Sequence, residues 1–211
     1  IRADREDATM AEQINSWEEV KQRGIELFFQ PIYNVKKHRI TGLEALFRVK
    51  DGKDGYLNTE EVVQEAENDG WVHNIDLWML RQCCRYFTIF AEHGIARINV
   101  NLSPRTCMEE DIGDMISTCL DTYGLQHKKI WLEMTELGLI RDKDKLIKTA
   151  EKLRNMDFCL VMDDFGKGDS NFIRLMDFEF SSIKLDKELV WGIESRPMGM
   201  PIVETMMEFA R

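Results

Sequence analysis

Short apolar runs of strand length recur along this chain, separated for the most part by stretches of helical periodicity, and they end on charged or amide side chains. The endings are Glu44 in Gly42-Leu43-Glu44-Ala45-Leu46, Asn101 in Asn99-Val100-Asn101-Leu102-Ser103, Glu133 and Glu136 in Leu132-Glu133-Met134-Thr135-Glu136, the pair Asp163-Asp164, and Lys184 with Asp186. In a parallel β/α barrel all strands deliver their carboxyl ends to one face, where the active site is assembled. Residues scattered over 140 positions then belong to one site. No other feature of the sequence constrains the fold as strongly.

The element order follows from local signals. Ser16-x-x-Glu19 is a capping box opening a short helix, and Gly24 suits its end. Ile25 to Tyr33 reads as a strand, a turn covers Asn34 to Arg39, and Ile40 to Val49 is the next strand. So short a link holds no crossover helix, so these two strands are expected to be antiparallel. Asn58 or Thr59 then caps a helix ending before Gly70, and a longer helix runs from about Asn74 to His93. Strand Ile95 to Leu102, helix Glu110 to Tyr123, strand Ile130 to Met134, helix Asp142 to Asn155 and strand Phe158 to Met162 follow. A short helix near Asn171 to Met176, strand Ser182 to Leu185 and a helix beginning near Pro201 complete the chain. The expected fold is α/β: a modified TIM-type (β/α)8 barrel with an antiparallel first strand, six of eight strands being present. Residues 1-24 are expected to be an N-terminal linker with its helix, and 25-211 the barrel.

Composition narrows the chemistry. With 38 acidic and 28 basic residues the net charge is −10, and no basic stripe suits a nucleic-acid polymer. An acidic protein that handles an anionic substrate does so through divalent cations. Five cysteines, odd in number and without C-x-x-C spacing, argue for reduced thiols rather than a disulfide framework. The four histidines lack paired ligand spacing, which disfavours zinc. No apolar run reaches the ~20 residues of a membrane helix. The chain opens at Ile1 without an initiator Met, as expected for a segment of something longer.

Individual residues carry different weights. Glu44, Leu46 and Arg48 share one strand face by the period of two, which sets a carboxylate and a guanidinium along a surface suited to a metal-bound phosphate. The ordinary alternative is a surface salt bridge. Asp163-Asp164-Phe165-Gly166 is the strongest item, because adjacent carboxylates repel unless a cation or proton lies between them, and two ions about 3.5–4 Å apart could share the pair. A solvated turn with an Asp cap is its alternative. Glu133 and Glu136 fall on opposite faces, one suited to a metal and the other to bracing a loop. Asn101 offers a neutral oxygen acceptable to Mg²⁺ or Mn²⁺. Lys184 would orient water or offset phosphoryl charge, although a lone Lys-x-Asp pair such as Lys184 with Asp186 is more often a surface ion pair. The stretch Asp51 to Glu61 mimics a calcium loop but places Lys50 and Gly52 where carboxylates are required, and it is rejected.

Taken in order, Gln30-Pro31-Ile32, Glu44-Ala45-Leu46 with Arg48, Asn101-Leu102-Ser103, Glu133-Met134-Thr135-Glu136, Asp163-Asp164-Phe165-Gly166 and Lys184-Leu185-Asp186 resemble the EAL-domain family of cyclic di-GMP phosphodiesterases. The resemblance implies that Glu44, Asn101, Glu133 and Asp163 are metal ligands and that Asp164 serves a second ion. It also implies that Lys184 positions the attacking water, with Glu44 and Asp164 joining it in catalysis. Gln30, Leu46, Arg48 and Asp186 would meet the dinucleotide, and Glu136 would position the loop after Asp164. The implied reaction is hydrolysis of cyclic di-GMP to the linear dinucleotide with Mg²⁺ or Mn²⁺, two ions in all. Implied partners are cyclic di-GMP, a second copy of the chain and further domains; the implied location is cytoplasmic, including as part of a membrane-associated protein.

Two departures bear on this expectation. The loop usually reading Asp-Phe-Gly-Thr-Gly-Tyr-Ser-Ser carries Lys167, Asp169 and Asn171 here. The family's last two strands, with a further glutamate and a glutamine, would lie beyond Arg211, so the 211-residue segment alone is expected to be inactive. The alternatives are a non-hydrolytic cyclic di-GMP receptor and an unrelated enolising barrel with Lys and Mg²⁺. The latter gives no account of Gln30, Arg48 and Asn101.

Overall fold

The structure is a computed structural model, and it describes residues 14–135, 143–167 and 179–209. Among these, six strands form one sheet in the order of the chain: β1 (Ile25–Asn34), β2 (Arg39–Val49), β3 (Arg97–Asn101), β4 (Ile130–Thr135), β5 (Cys159–Phe165) and β6 (Ser182–Leu185). β1 and β2 pair antiparallel with Gln30 opposite Glu44, and each later neighbour is parallel. The sheet curls into a half-barrel, as expected for a TIM-type barrel with a reversed first strand. The hairpin turn is closed by the Asn34 side chain, whose Oδ1 accepts the Lys37 N–H at 2.8 Å.

The helices cover the outer face. α1 (Trp17–Arg23) begins at the capping box, with Ser16 Oγ accepting the Glu19 N–H at 3.3 Å and Glu19 Oε2 accepting the Asn15 N–H at 3.1 Å. α2 (Thr59–Asp69) is capped by Asn58 and closed by Gly70 in the left-handed conformation. α3 (Val72–Glu92) buries Val72, Ile75, Asp76, Met79, Leu80, Cys83, Cys84 and Phe87, a stripe with the three- and four-residue steps of one helix face. Its start precedes the expected Asn74 by two residues, within the usual latitude of helix ends. α5 (Ile112–Thr122) and α6 (Lys143–Asn155) complete the layer behind β3 to β5.

Two helices escaped the reading of periodicity. α4 (Pro104–Cys107) is a single turn that follows β3, with Ser103 Oγ accepting the Thr106 N–H and Pro104 at its first position. α7 (Lys187–Ser195) starts directly after β6, capped by Asp186. The last helix, α8 (Gly199–Phe209), starts two residues before Pro201. The expected helix at Asn171 to Met176 lies outside the described residues.

Strand alternation divides the side chains. Leu43, Ala45, Phe47, Val49, Ile98, Val100, Leu132, Met134, Leu160 and Met162 are buried toward the helices and form the core. The opposite face carries Glu44, Leu46, Arg48, Asn99, Asn101, Glu133, Asp163 and Lys184, so the hydrophobic pattern alone fixes which residues line the barrel interior. No described helix is long and apolar enough to cross a membrane.

Candidate metal and phosphodiester site

Parallel pairing aligns residues of one register on one face. Glu44 pairs with Asn99, Asn101 with Glu133, and Thr135 with Asp163 across successive strands. The carboxylates of Glu44, Glu133 and Asp163 therefore meet, with one oxygen of each lying within 4.8 Å of the others. Glu133 is 1% exposed. From β6, Lys184 reaches into the cluster: its Nζ lies 3.0 Å from Glu44 Oε2, 2.8 Å from Glu133 Oε2 and 3.1 Å from Asp163 Oδ2.

The local chain explains how Asp163 enters. β5 was expected to end at Met162, but it continues through Asp163 and Asp164 to Phe165, so the pair belongs to the strand. The register against β6 shifts between Met162 and Phe165, and Asp164 adopts φ +55. Such a bulge re-aims the side chains on either side of it. Asp163 turns inward and its Oδ1 accepts the Asp164 N–H at 2.9 Å. Asp164 lies outside the three-carboxylate group, its Oδ2 3.6 Å from Lys167 Nζ. Gly166 follows at φ +100, where a Cβ would stand 3.0 Å from Leu189, so both conformation and space favour glycine there.

Charge and burial set the protonation states. Burial pushes the Glu133 carboxyl up, the neighbouring Glu44 adds to this, and Lys184 works against it. Burial alone would lower Lys184, but Glu133, Asp163 and Glu44 outweigh it and hold the amine above the usual lysine range. The three carboxylates thus favour the ammonium form of Lys184.

Asn99 was not singled out in the sequence. It is buried, and its Nδ2 donates to Glu133 Oε1 at 2.8 Å. In this orientation the amide N–H faces a carboxyl oxygen that accepts it. Its Oδ1 is buried and lacks a hydrogen-bond partner. The available signal was the period of two: Asn99 shares a face with Asn101.

The remaining expected residues lie around this centre. Asn101 ends β3 in register with Glu133 and is exposed. Gln30 is exposed directly across the hairpin from Glu44. Leu46 and Arg48 follow along the same face of β2; Arg48 stacks over Phe28 at 5.7 Å, and its Nη1 donates to Phe47 O at 2.7 Å. Asp186 stands apart from the cluster: it is buried, and its Oδ1 accepts the Glu188 N–H at 2.7 Å as the cap of α7. Glu136 and the loop positions Asp169 and Asn171 lie outside the described residues.

The arrangement fits a hard divalent cation. Its donors are all oxygen, an orphaned buried amide oxygen adjoins them, and an ammonium already occupies the middle of the three carboxylates. The described residues offer a site that can hold a metal ion.

Comparison with known proteins agrees. The cyclic di-GMP phosphodiesterase NbdA of Pseudomonas aeruginosa is 29% identical over 189 residues, 89% of this chain and 24% of its own length. The chain spans about a quarter of the length of the curated relatives it matches. Among solved structures, the EAL enzyme Bd1971 bound to cAMP and cyclic-di-GMP superposes with a TM-score of 0.82 at 26% identity, covering 90% of this chain and 53% of that one. The PaMucR phosphodiesterase in complex with c-di-GMP gives 0.78 at 27% identity, over 88% of this chain and 76% of that one. The sequence also matches the model of the EAL domain over residues 15–211, and with these strand-end carboxylates gathered about one lysine, the chain belongs to the EAL domain family.

Proposed function

We propose that this chain provides the catalytic barrel of a cyclic di-GMP phosphodiesterase, hydrolysing one phosphodiester bond to give the linear dinucleotide. The observation that carries the reading is the meeting of Glu44, Glu133 and Asp163 from three strands around the Lys184 ammonium. Glu44, Asn101, Glu133 and Asp163 would hold Mg²⁺ or Mn²⁺, with Asp164 serving a second ion. The metal supplies Lewis-acid polarisation of the phosphoryl oxygens and positive charge against the two phosphates of the substrate.

The chain's own groups do the rest. Lys184, whose ammonium form the three carboxylates favour, donates from Nζ to the attacking water and to charge that develops on phosphorus oxygens. The proton lost by that water goes to a carboxylate of the cluster, Glu44 and Asp163 being only partly buried where Glu133 is closed off from solvent. As the water oxygen bonds to phosphorus, the bond to the ribose oxygen breaks. Arg48 faces the same side as Glu44 and pairs with phosphate oxygens, a task its planar fork suits better than a lysine would. Gln30, beside Glu44 across the hairpin, and Leu46 contact the nucleotide. Asp186 acts by capping α7 immediately after Lys184.

The test has two parts. Calorimetry on the 211-residue chain is expected to show cyclic di-GMP binding that requires Mg²⁺ or Mn²⁺ and is lost in EDTA. In the protein that carries the chain, chromatography is expected to show the linear product, with Glu44→Gln lowering turnover at least a hundredfold. Hydrolysis that survives rigorous chelation overturns the reading.

A further inference from the structure

Away from the barrel interior, α3 and α5 pack side by side with a cleft of about 530 Å³ between them, lined among others by Arg81, Asp114, Thr118, Cys119 and Tyr123. Cys119 of α5 lines this cleft and is half-buried; Cys84 of α3 lies behind it, fully buried. Their sulfurs are 4.0 Å apart. A disulfide needs about 2.05 Å, so the two side chains must close by roughly 2 Å. The residues are 35 apart in sequence, so the link would tie two helices that are packed but not consecutive.

We infer that Cys84 and Cys119 form a thiol pair oxidised to an intramolecular disulfide by small peroxides that enter through the cleft. Cys119 is the attacking group because it alone of the two reaches the open space. Its contact with Cys84, and then the Arg81 charge on the cleft wall, hold its thiol below the usual range. Burial raises Cys83 and Cys107 instead, which makes them inert neighbours.

The chemistry balances in two steps. The Cys119 thiolate attacks one peroxide oxygen: an S–O bond forms, the O–O bond breaks, and hydroxide leaves and is protonated to water. Cys84 sulfur then attacks the Cys119 sulfenic acid: the S–S bond forms, the S–O bond breaks, and the hydroxyl leaves as water with the Cys84 proton. Two thiols lose two electrons and hydrogen peroxide gains them.

The experiment treats the reduced full chain with hydrogen peroxide, alkylates the remaining thiols, and maps peptides without reduction by mass spectrometry. The expected result is a Cys84–Cys119 linked peptide pair that dithiothreitol removes, with Cys83 and Cys107 still alkylatable after denaturation. Cys119→Ser is expected to abolish the link. Cys84→Ser is expected to halt at a Cys119 sulfenic acid, captured by dimedone, in a protein whose circular dichroism matches wild type. An oxidised wild type that lacks the link, or that consumes Cys159 before Cys119, overturns the inference.

Discussion

Replacing Lys184 with methionine tests the charge balance of the site more directly than any other change. The ammonium lies 2.8 to 3.1 Å from three carboxylates. Without it, three like charges remain within 4.8 Å of each other. At an effective dielectric of about 20, each such pair repels by about 3.5 kcal/mol. The carboxylates escape most of this by taking up protons, and each pKa unit of that displacement costs about 1.4 kcal/mol. Allowing for the partial exposure of Lys184, the net destabilisation is about 2 kcal/mol, which for a chain of this size lowers Tm by roughly 4–8 °C. A divalent ion should restore what the ammonium supplied. In calorimetric melts, Lys184→Met is therefore expected to melt lower than wild type in EDTA and to gain more from millimolar Mn²⁺, by linkage to tighter binding. Its turnover stays at least a hundredfold down, since the donor to the reacting groups is gone. Equal melting temperatures in EDTA, or equal gains from Mn²⁺, would refute the reasoning.

Further outcomes follow from single residues. Arg48→Ala should raise KM roughly 10- to 100-fold with kcat nearly unchanged, as loss of a charge-assisted phosphate contact requires; steady-state kinetics that show the reverse split contradict the clamp. Asn99→Ala leaves Glu133 Oε1 without its donor and is expected to weaken Mn²⁺ about 10- to 100-fold by titration calorimetry. Burial pushes Asp76 up to about 6 from 3.8, even though it accepts the Ser103 N–H at 3.0 Å. Its folded pKa exceeds its unfolded one, so its contribution is complete below pH 3.8 and is lost as pH rises through about 6, a fall of about 3 kcal/mol by linkage. Asp76→Asn should remove that fall, measured as the wild-type minus mutant difference in urea unfolding between pH 4 and pH 7.

Several features were legible because they are local. The Ser16 capping box, the Asn58 cap, the Gly70 stop and the short Asn34 to Arg39 link each depend on neighbours within a few residues, and all stand in the structure. The period of two placed Glu44, Leu46 and Arg48 on one face before any coordinates, because burial of Leu43, Ala45 and Phe47 forces the alternation. The single turn of α4 and the nine-residue α7 show less clearly in the sequence. α4 has too few residues to show a period, and α7 directly follows a strand end, where Asp186 suits a site residue as well as a helix cap.

What the sequence determined by itself is the set of polar strand ends and the order in which the strands deliver them. What only tertiary structure decided is which of those ends meet. The staggered register of three strand pairs, β2 to β5, brings Glu44, Glu133 and Asp163 together, and the irregularity after Met162 leaves Asp163 in the cluster and Asp164 outside it. Asn99 became a partner of Glu133, and Cys84 a neighbour of Cys119, only through packing between elements 34 and 35 residues apart. Such contacts have no local signature, because the chain between the partners leaves no mark of where its ends will meet.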